Sequence, residues 1–305
     1  MVDIFELLKG QKDQNGDYQK QPVIVQGITG KFGSVHTKLM LEYGTNIAAG
    51  VTPGKGGQKF ENVPIYENMR DAVDATNAKI SIMFVPAKFF LGAAKEALEA
   101  GIKLLVAIPE HVPVRDTMEA IRMAEQKDAI MIGPNTPGII IPGLIKIGIM
   151  PSSPFMPGKI AVLSKSGTLL YEISNNLTTS GFGQIFTLGI GGDPINGTRM
   201  IDAFNMIKDN PELEGMVLVG EIGGEAEETL AKHIVDIGFK KPIVGYIAGR
   251  KAPKEKRMGH AGAIVMGNYG CLLYTSPSPR DQRGSRVPGW GWKKKGGGGG
   301  GGGGG

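Results

Sequence analysis

From Val23 to Asn135, short apolar runs alternate with segments of helical period, and this alternation restricts the possible folds more than any other feature of the chain. The runs read VIVQG, NIAAGV, ISIMFVP, KLLVAIP and AIMIGPN. Between two of them, FLGAAKEALEAG sets Leu91, Ala94, Ala97 and Leu98 on one helical face ahead of Gly101, a residue that ends helices readily. Strands separated by helices run parallel, because each helix carries the chain back, and the helices then cover both faces of the sheet. The pattern predicts a doubly wound α/β sheet with ligands at the carboxyl ends of its strands.

The alternation restarts with KIAVLSKSG, QIFTLGIGG, MVLVGEIGG and PIVGYIAG as strands, separated by helical TLLYEISNNLTTSG, TRMIDAFNMIKDN and EAEETLAKHIVDIGF. A second open α/β domain is therefore expected. The intervening PNTPGIIIPGLIKIGIMPSSPFMPG is rich in proline and glycine and reads as an irregular connection,. The expected organisation is an N-terminal extension over 1–22, a first domain over 23–145, a second over 146–270 and a tail over 271–305.

That tail, CLLYTSPSPRDQRGSRVPGWGWKKK followed by uninterrupted glycine, has neither helical nor strand period. It cannot bury enough apolar surface to offset its ordering entropy, so it is expected to be disordered, an artefactual segment standing where the native C-terminus would be, with a native flexible linker as the alternative. It also distorts the charge balance. Of the 34 basic and 29 acidic residues, six basic ones and Asp281 lie in the tail, which leaves 28 of each before it. The formal charge of +5 is thus no argument for a nucleic-acid or membrane partner,. The single cysteine, Cys271, lies there too, so residues 1–270 hold no disulfide and no thiolate metal site,. The opening MVDIFELLKGQKDQNGDYQK has no signal-peptide core,. Cytoplasm is the expected location, with an organelle matrix as the alternative.

Four stretches carry chemistry. The first strand runs into QGITGKFGSVH, where Gly27, Gly30 and Gly33 lead onto a helix whose first amides can hold a phosphate,. The spacing departs from the dinucleotide fingerprint and fits a plain βα turn as well. After the second strand, AGVTPGKGG offers Lys55 where an NAD site carries an acid, which favours a nucleotide with an additional phosphate, NADP or coenzyme A. LSKSGTLLYE places Ser164, Ser166, Gly167 and Thr168 at another helix start, as a cap or as a phosphate cradle. GEIGGEAEE ends a strand on Glu221, either a solvated acid or a carboxylate that orients a histidine. Of the four histidines, His36 and His233 fall in helices and His111 in a loop. His260, in RMGHAGAI, sits among small residues that suit a mobile loop or a mobile imidazole,. No metal-ligand spacing and no G-x-S-x-G elbow occur,.

Taken in order, QGITGKFG, AGVTPGKGG, GPNTPGII, VLSKSGTLLYE, GIGGDPINGT, GEIGGEAEE and GYIAGRKAPKEKRMGHAGAI resemble the α subunit of succinyl-CoA synthetase (succinate–CoA ligase, ADP- or GDP-forming) over roughly Val23 to Gly267. The resemblance implies a Rossmann-like CoA-binding domain followed by a flavodoxin-like ligase domain. It implies that coenzyme A meets Thr29, Gly30, Lys31 and Phe32 at the phosphate turn, Lys55 near the nucleotide, and Ile108, Pro109 and Glu110 on the pantetheine side. Pro109 stands where the family usually has threonine, and Thr136 where it often has cysteine. Tyr171 matches a substrate-contacting tyrosine, His260 the histidine that is transiently phosphorylated, and Glu221 its hydrogen-bond partner. Ser166, Gly167 and Thr168 would then hold the phosphoryl group. No G-x-x-x-x-G-K-[ST] loop is present, and the resemblance implies that ADP or GDP binds with Mg²⁺ on a β subunit, so that activity requires an αβ heterodimer.

Three other readings compete. A related acyl-CoA ligase acting on malate or citrate would use the same domains. An NADP-binding oxidoreductase would account for Lys55. A non-catalytic CoA-binding fragment would follow if the divergence near Gly270 removes packing that the second domain needs.

Overall fold

The computed structural model describes residues 3–10, 18 and 20–249. α1 (Ile4–Lys9) opens it, and the Asp3 carboxylate accepts the Phe5 and Glu6 N–H groups at the helix start,. The first sheet unit follows as β1 (Val23–Gln26), α2 (Lys31–Tyr43), β2 (Ile47–Val51), β3 (Lys59–Phe60), β4 (Val63–Tyr66), α3 (Met69–Thr76), β5 (Ile80–Met83), α4 (Phe90–Glu99), β6 (Leu104–Ala107), α5 (Val114–Gln126) and β7 (Ile130–Ile132). The strands lie in the order β3-β4-β2-β1-β5-β6-β7. All pairs are parallel except β3 with β4. Setting β3 aside, the parallel strands follow the 3-2-1-4-5-6 order of the dinucleotide-binding sheet, which switches direction at β1.

Every residue of β1, β5 and β6 is buried, as continuous apolar runs require when helices cover both faces. On α4, Ala94, Ala97 and Leu98 are buried as the period predicts, and Leu91 is half-buried. The β3–β4 hairpin is an addition to the predicted pattern. Its two turn residues, Glu61 and Asn62, both have positive φ, at 46° and 69°, the twist that matches a two-residue hairpin loop.

The second unit comprises β8 (Gly138–Ile141), β9 (Ile145–Gly148), β10 (Pro157–Ser164), α6 (Gly167–Thr179), β11 (Gln184–Gly189), α7 (Met200–Ile207), β12 (Gly215–Glu221), α8 (Ala226–Asp236) and β13 (Ile243–Ala248). Its order is β13-β12-β10-β11-β8-β9. The parallel strands β10 to β13 follow the flavodoxin-like sequence with the switch at β10. β8 and β9 form an antiparallel hairpin on the β11 edge, with Thr187 opposite Ile140 and Leu188 opposite Ile139.

Two boundaries differ from expectation. The supposedly irregular stretch holds the β8–β9 hairpin, so the chain passes between sheets after Ile132 and before Gly138, and a break between 145 and 146 would cut β9. The hairpin belongs to the second unit because its backbone groups complete the β11 ladder,. Nor is the N-terminal segment a mere extension. Ile4 and Leu8 are buried in the core, and the Phe5 ring lies 5.2 Å from that of Phe186 on β11.

The units are stitched together. Thr45 Oγ1 donates to Lys146 O at 2.8 Å and accepts the Lys146 N–H, while Gly143 N–H donates to Tyr43 Oη at 2.9 Å. On the other flank Asn135 donates to Asp193, Asn196 to Pro134 O, and Thr198 to Met131 O.

Candidate functional site

Each switch point presents a helix start. β1 ends at Gln26, and Gly30 caps α2 without any side-chain hydrogen bond. The first-turn amides of Lys31, Phe32 and Gly33 have no intrahelical acceptor, and the turn holds no acidic residue, so the positive end of the helix is available to an anion. Gly33 is required by space, since a Cβ there would lie 2.3 Å from the Gly27 carbonyl oxygen. The Phe32 ring stands edge-on to His36 and Phe84, at 4.4 and 5.8 Å. Burial, with Lys146 nearby, holds His36 below the usual imidazole range. It is therefore a neutral packing group at pH 7, stacked on Phe84 at 5.9 Å.

In the second unit, Ser164 Oγ donates to Ser166 O at 2.7 Å and accepts the Ser166 N–H. Ser166 Oγ in turn accepts the Leu169 N–H at 3.4 Å, which caps α6. The serine-rich turn is thus held in shape from within, leaving Gly167 and Thr168 as the first helical residues. One turn on, burial pushes the Tyr171 phenol up to about 12, so it is a protonated donor at neutral pH,.

The two helix starts open on one cavity of about 440 Å³ between the units. The first unit contributes Phe32, Phe84, Val85 and Ile108–Glu110, the passage between sheets contributes Asn135–Pro137, and the second unit contributes Lys165, Gly167, Thr168 and Tyr171. Pro109 O accepts the Asn135 N–H at 2.9 Å, which fixes the loop after β6 to the passage. Thr136 is 2% exposed; its hydroxyl donates to Gly189 O and accepts the Gly138 N–H. It is a structural tie in the cavity wall.

Of the residues singled out in the sequence, Phe32, Ile108, Pro109, Glu110, Gly167, Thr168 and Tyr171 line this cavity. Thr29, Gly30, Lys31 and Ser166 lie beside it on the two turns. Lys55 is in the loop after β2, and that loop is tied to the β1–α2 turn by a 3.3 Å hydrogen bond from Thr29 Oγ1 to Thr52 Oγ1. Glu221 ends β12, and its N–H donates to Glu227 Oε1 at 3.2 Å. His260 lies outside the described residues, as do residues 1–2, 11–17 and 19 and the whole tail.

Sequence reasoning missed a cross-link at this end of the second sheet. Lys165 Nζ lies 3.0 and 3.2 Å from the two Glu227 oxygens, with side chains only 17% and 10% exposed. Glu227 therefore joins the α6 start to the end of β12 through one carboxylate. Lys165 sat between two serines already marked as a cradle, and Glu227 in an acidic helix start, but nothing local pairs residues 62 positions apart.

Two switch points thus share one cavity, and each half of the chain matches a family model of the two-domain CoA-ligase class. Residues 18–111 match the CoA binding domain and residues 163–276 match the CoA-ligase family. The chain is 49% identical over 252 residues to the succinate–CoA ligase [ADP-forming] subunit alpha 2 of Archaeoglobus fulgidus, covering 83% of this chain and 87% of that one. It is also 49% identical over 250 residues to the alpha subunit from Aquifex aeolicus, with 81% and 82% covered. It therefore belongs to the succinate–CoA ligase alpha-subunit family. Among solved structures it resembles the ATP citrate lyase of Methanothrix soehngenii in complex with citrate and coenzyme A, at 26% identity and a TM-score of 0.73. That likeness covers 81% of this chain and 44% of the lyase.

Proposed function

We propose that this chain is the alpha subunit of a succinate–CoA ligase, interconverting succinyl-CoA, phosphate and a nucleoside diphosphate with succinate, CoA and the triphosphate. The observation that carries this reading is the shared cavity, with one open helix start from each unit at its walls. The α2 turn, Thr29 to Phe32, with Lys55 beyond it, would take the phosphates of coenzyme A, and Ile108, Pro109 and Glu110 the pantetheine arm. Phosphate oxygen attacks the thioester carbonyl, CoA leaves as the thiol, and succinyl phosphate remains. Tyr171 would donate to the substrate carboxylate. The His260 imidazole would then attack the phosphorus, releasing succinate, and pass the phosphoryl group on to the nucleoside diphosphate, with Glu221 orienting the ring and Ser166, Gly167 and Thr168 neutralising charge by amides and helix dipole.

Nucleotide and Mg²⁺ would bind on a β subunit, so the active species would be an αβ heterodimer, with the cytoplasm as its expected location. The similarity to ADP-forming succinate–CoA ligases favours ADP. The likeness to a citrate-binding lyase supports a second reading, a ligase for citrate or another acid, built on the same site.

The test is phosphorylation by γ-labelled ATP with Mg²⁺ and the β subunit of a relative. Acid-labile, base-stable label in the parent and none in His260→Asn is the expected result. Absence of label in both, with CoA still bound, would reduce the chain to a CoA-binding fragment. Release of CoA from succinyl-CoA but not citryl-CoA separates the two acids.

A further inference from the structure

Lys55 follows β2, where an α/β nucleotide site distinguishes one ribose from another, and the loop that bears it is gripped by a carboxylate. Glu67, immediately after β4, accepts the Gly54 N–H on Oε1 at 2.6 Å and the Gly56 N–H on Oε2 at 3.2 Å. These amides flank Lys55 on either side. The Lys55 N–H donates to Thr52 O at 3.1 Å, and Thr52 touches Thr29 on the phosphate turn. A continuous series of links thus runs from the start of α2, through Lys55, to the end of β4.

Three of the four residues from Gly54 to Gly57 are glycine, and glycine loses the most conformational freedom when fixed. Backbone bonds from Gly57 N–H to Ile65 O and from Gln58 N–H to Lys55 O hold the far side of the loop, but without a further anchor the peptides on either side of Lys55 would have to be ordered by the ligand, at a cost in affinity. Glu67 orders it beforehand. Its oxygens are engaged with backbone amides, and among the described residues it forms no ion pair with Lys55, so it does not neutralise the ammonium. A carboxylate otherwise has no favourable place beside a phosphate site.

We propose that Glu67 is a positioning residue that, by holding the amides on both sides of Lys55, presents this ammonium to a phosphate on the ligand ribose and makes the site prefer coenzyme A to dephospho-CoA. The inference rests on the first unit being a CoA site, and it adds a residue that acts only through Lys55.

Calorimetric titration of the full chain with CoA and with dephospho-CoA tests it. The parent should prefer CoA by roughly tenfold or more, the range of a hydrogen bond to a charged group. Glu67→Ala should lose most of that preference while binding dephospho-CoA within about twofold of the parent. Lys55→Ala should lose it as well, the double variant should be no worse than Lys55→Ala, and Glu67→Gln, which keeps one acceptor, should fall between. Equal weakening of both ligands by Glu67→Ala would reduce Glu67 to a structural role and overturn the proposal, as would an undiminished preference. A parent that binds both ligands equally would remove the Lys55 selectivity while leaving the CoA site standing. A parent that binds neither would remove the CoA reading and this inference together.

Discussion

Gly220 has no side chain because Glu227 occupies the space, and a Cβ there would sit 2.4 Å from Glu227 Oε1. Gly220→Ala should displace the carboxylate that holds both Lys165 and the Glu221 N–H, costing about 1–3 kcal/mol as an overpacked site does. In a Glu227→Ala background the same substitution should cost much less, and urea unfolding of the four species gives the coupling. If the costs simply add, the steric account of Gly220 is wrong. Tyr171 gives a second residue-scale expectation. Its folded pKa, about 12, is raised above the ordinary value of 10, so the unfolded chain releases this proton first. Stability from this group is therefore intact below pH 10 and falls as pH rises from 10 towards 12. Spectrophotometric titration of the parent against Tyr171→Phe should show the missing phenol ionising near 12, and the variant should raise KM for the carboxylate substrate.

At the scale of elements, the α2 start and the passage between sheets are the sensitive places. Gly33→Ala would drive a methyl into the Gly27 carbonyl, a contact with backbone that no rotamer relieves. A loss of about 1–3 kcal/mol is expected, together with weaker CoA binding as the amides of the proposed phosphate turn move. Thr136→Val keeps the shape of the side chain but removes its hydroxyl from Gly138 N–H and Gly189 O, both partners of a buried group. It should cost about 1–3 kcal/mol for the stranded polar groups, whereas Thr136→Ser, which keeps the hydroxyl, should cost clearly less. Thermal unfolding distinguishes the two. The local signals for these elements were readable from sequence: glycine spacing marked the α2 turn and the serines marked the α6 cap. The β8–β9 hairpin was not, because its glycines and prolines imitate a connection and its strand character depends on pairing with β11.

For the molecule as a whole, α1 is the informative case. Its first residues read as an extension, yet Leu8 is 1% exposed and lies in the core. Leu8→Ala should therefore cost about 2–5 kcal/mol, the range for truncating a buried leucine, and a Tm shift no larger than that of a surface substitution would show the helix to be dispensable.

The sequence by itself determined the class of fold, the alternation of the parallel strands with their helices, and the two glycine- and serine-bearing turns. These follow from short-range rules, since periodicity and capping depend on neighbours a few positions away. Only the tertiary structure decided that the carboxyl ends of two sheets meet, that residues 138–148 complete the second sheet, that α1 packs beneath β11, and that Lys165 finds Glu227 and the Lys55 loop finds Glu67. A hydrophobic or charged pattern specifies which face of an element must be covered or paired; it does not name the partner, which is chosen by the global packing that satisfies all such faces at once.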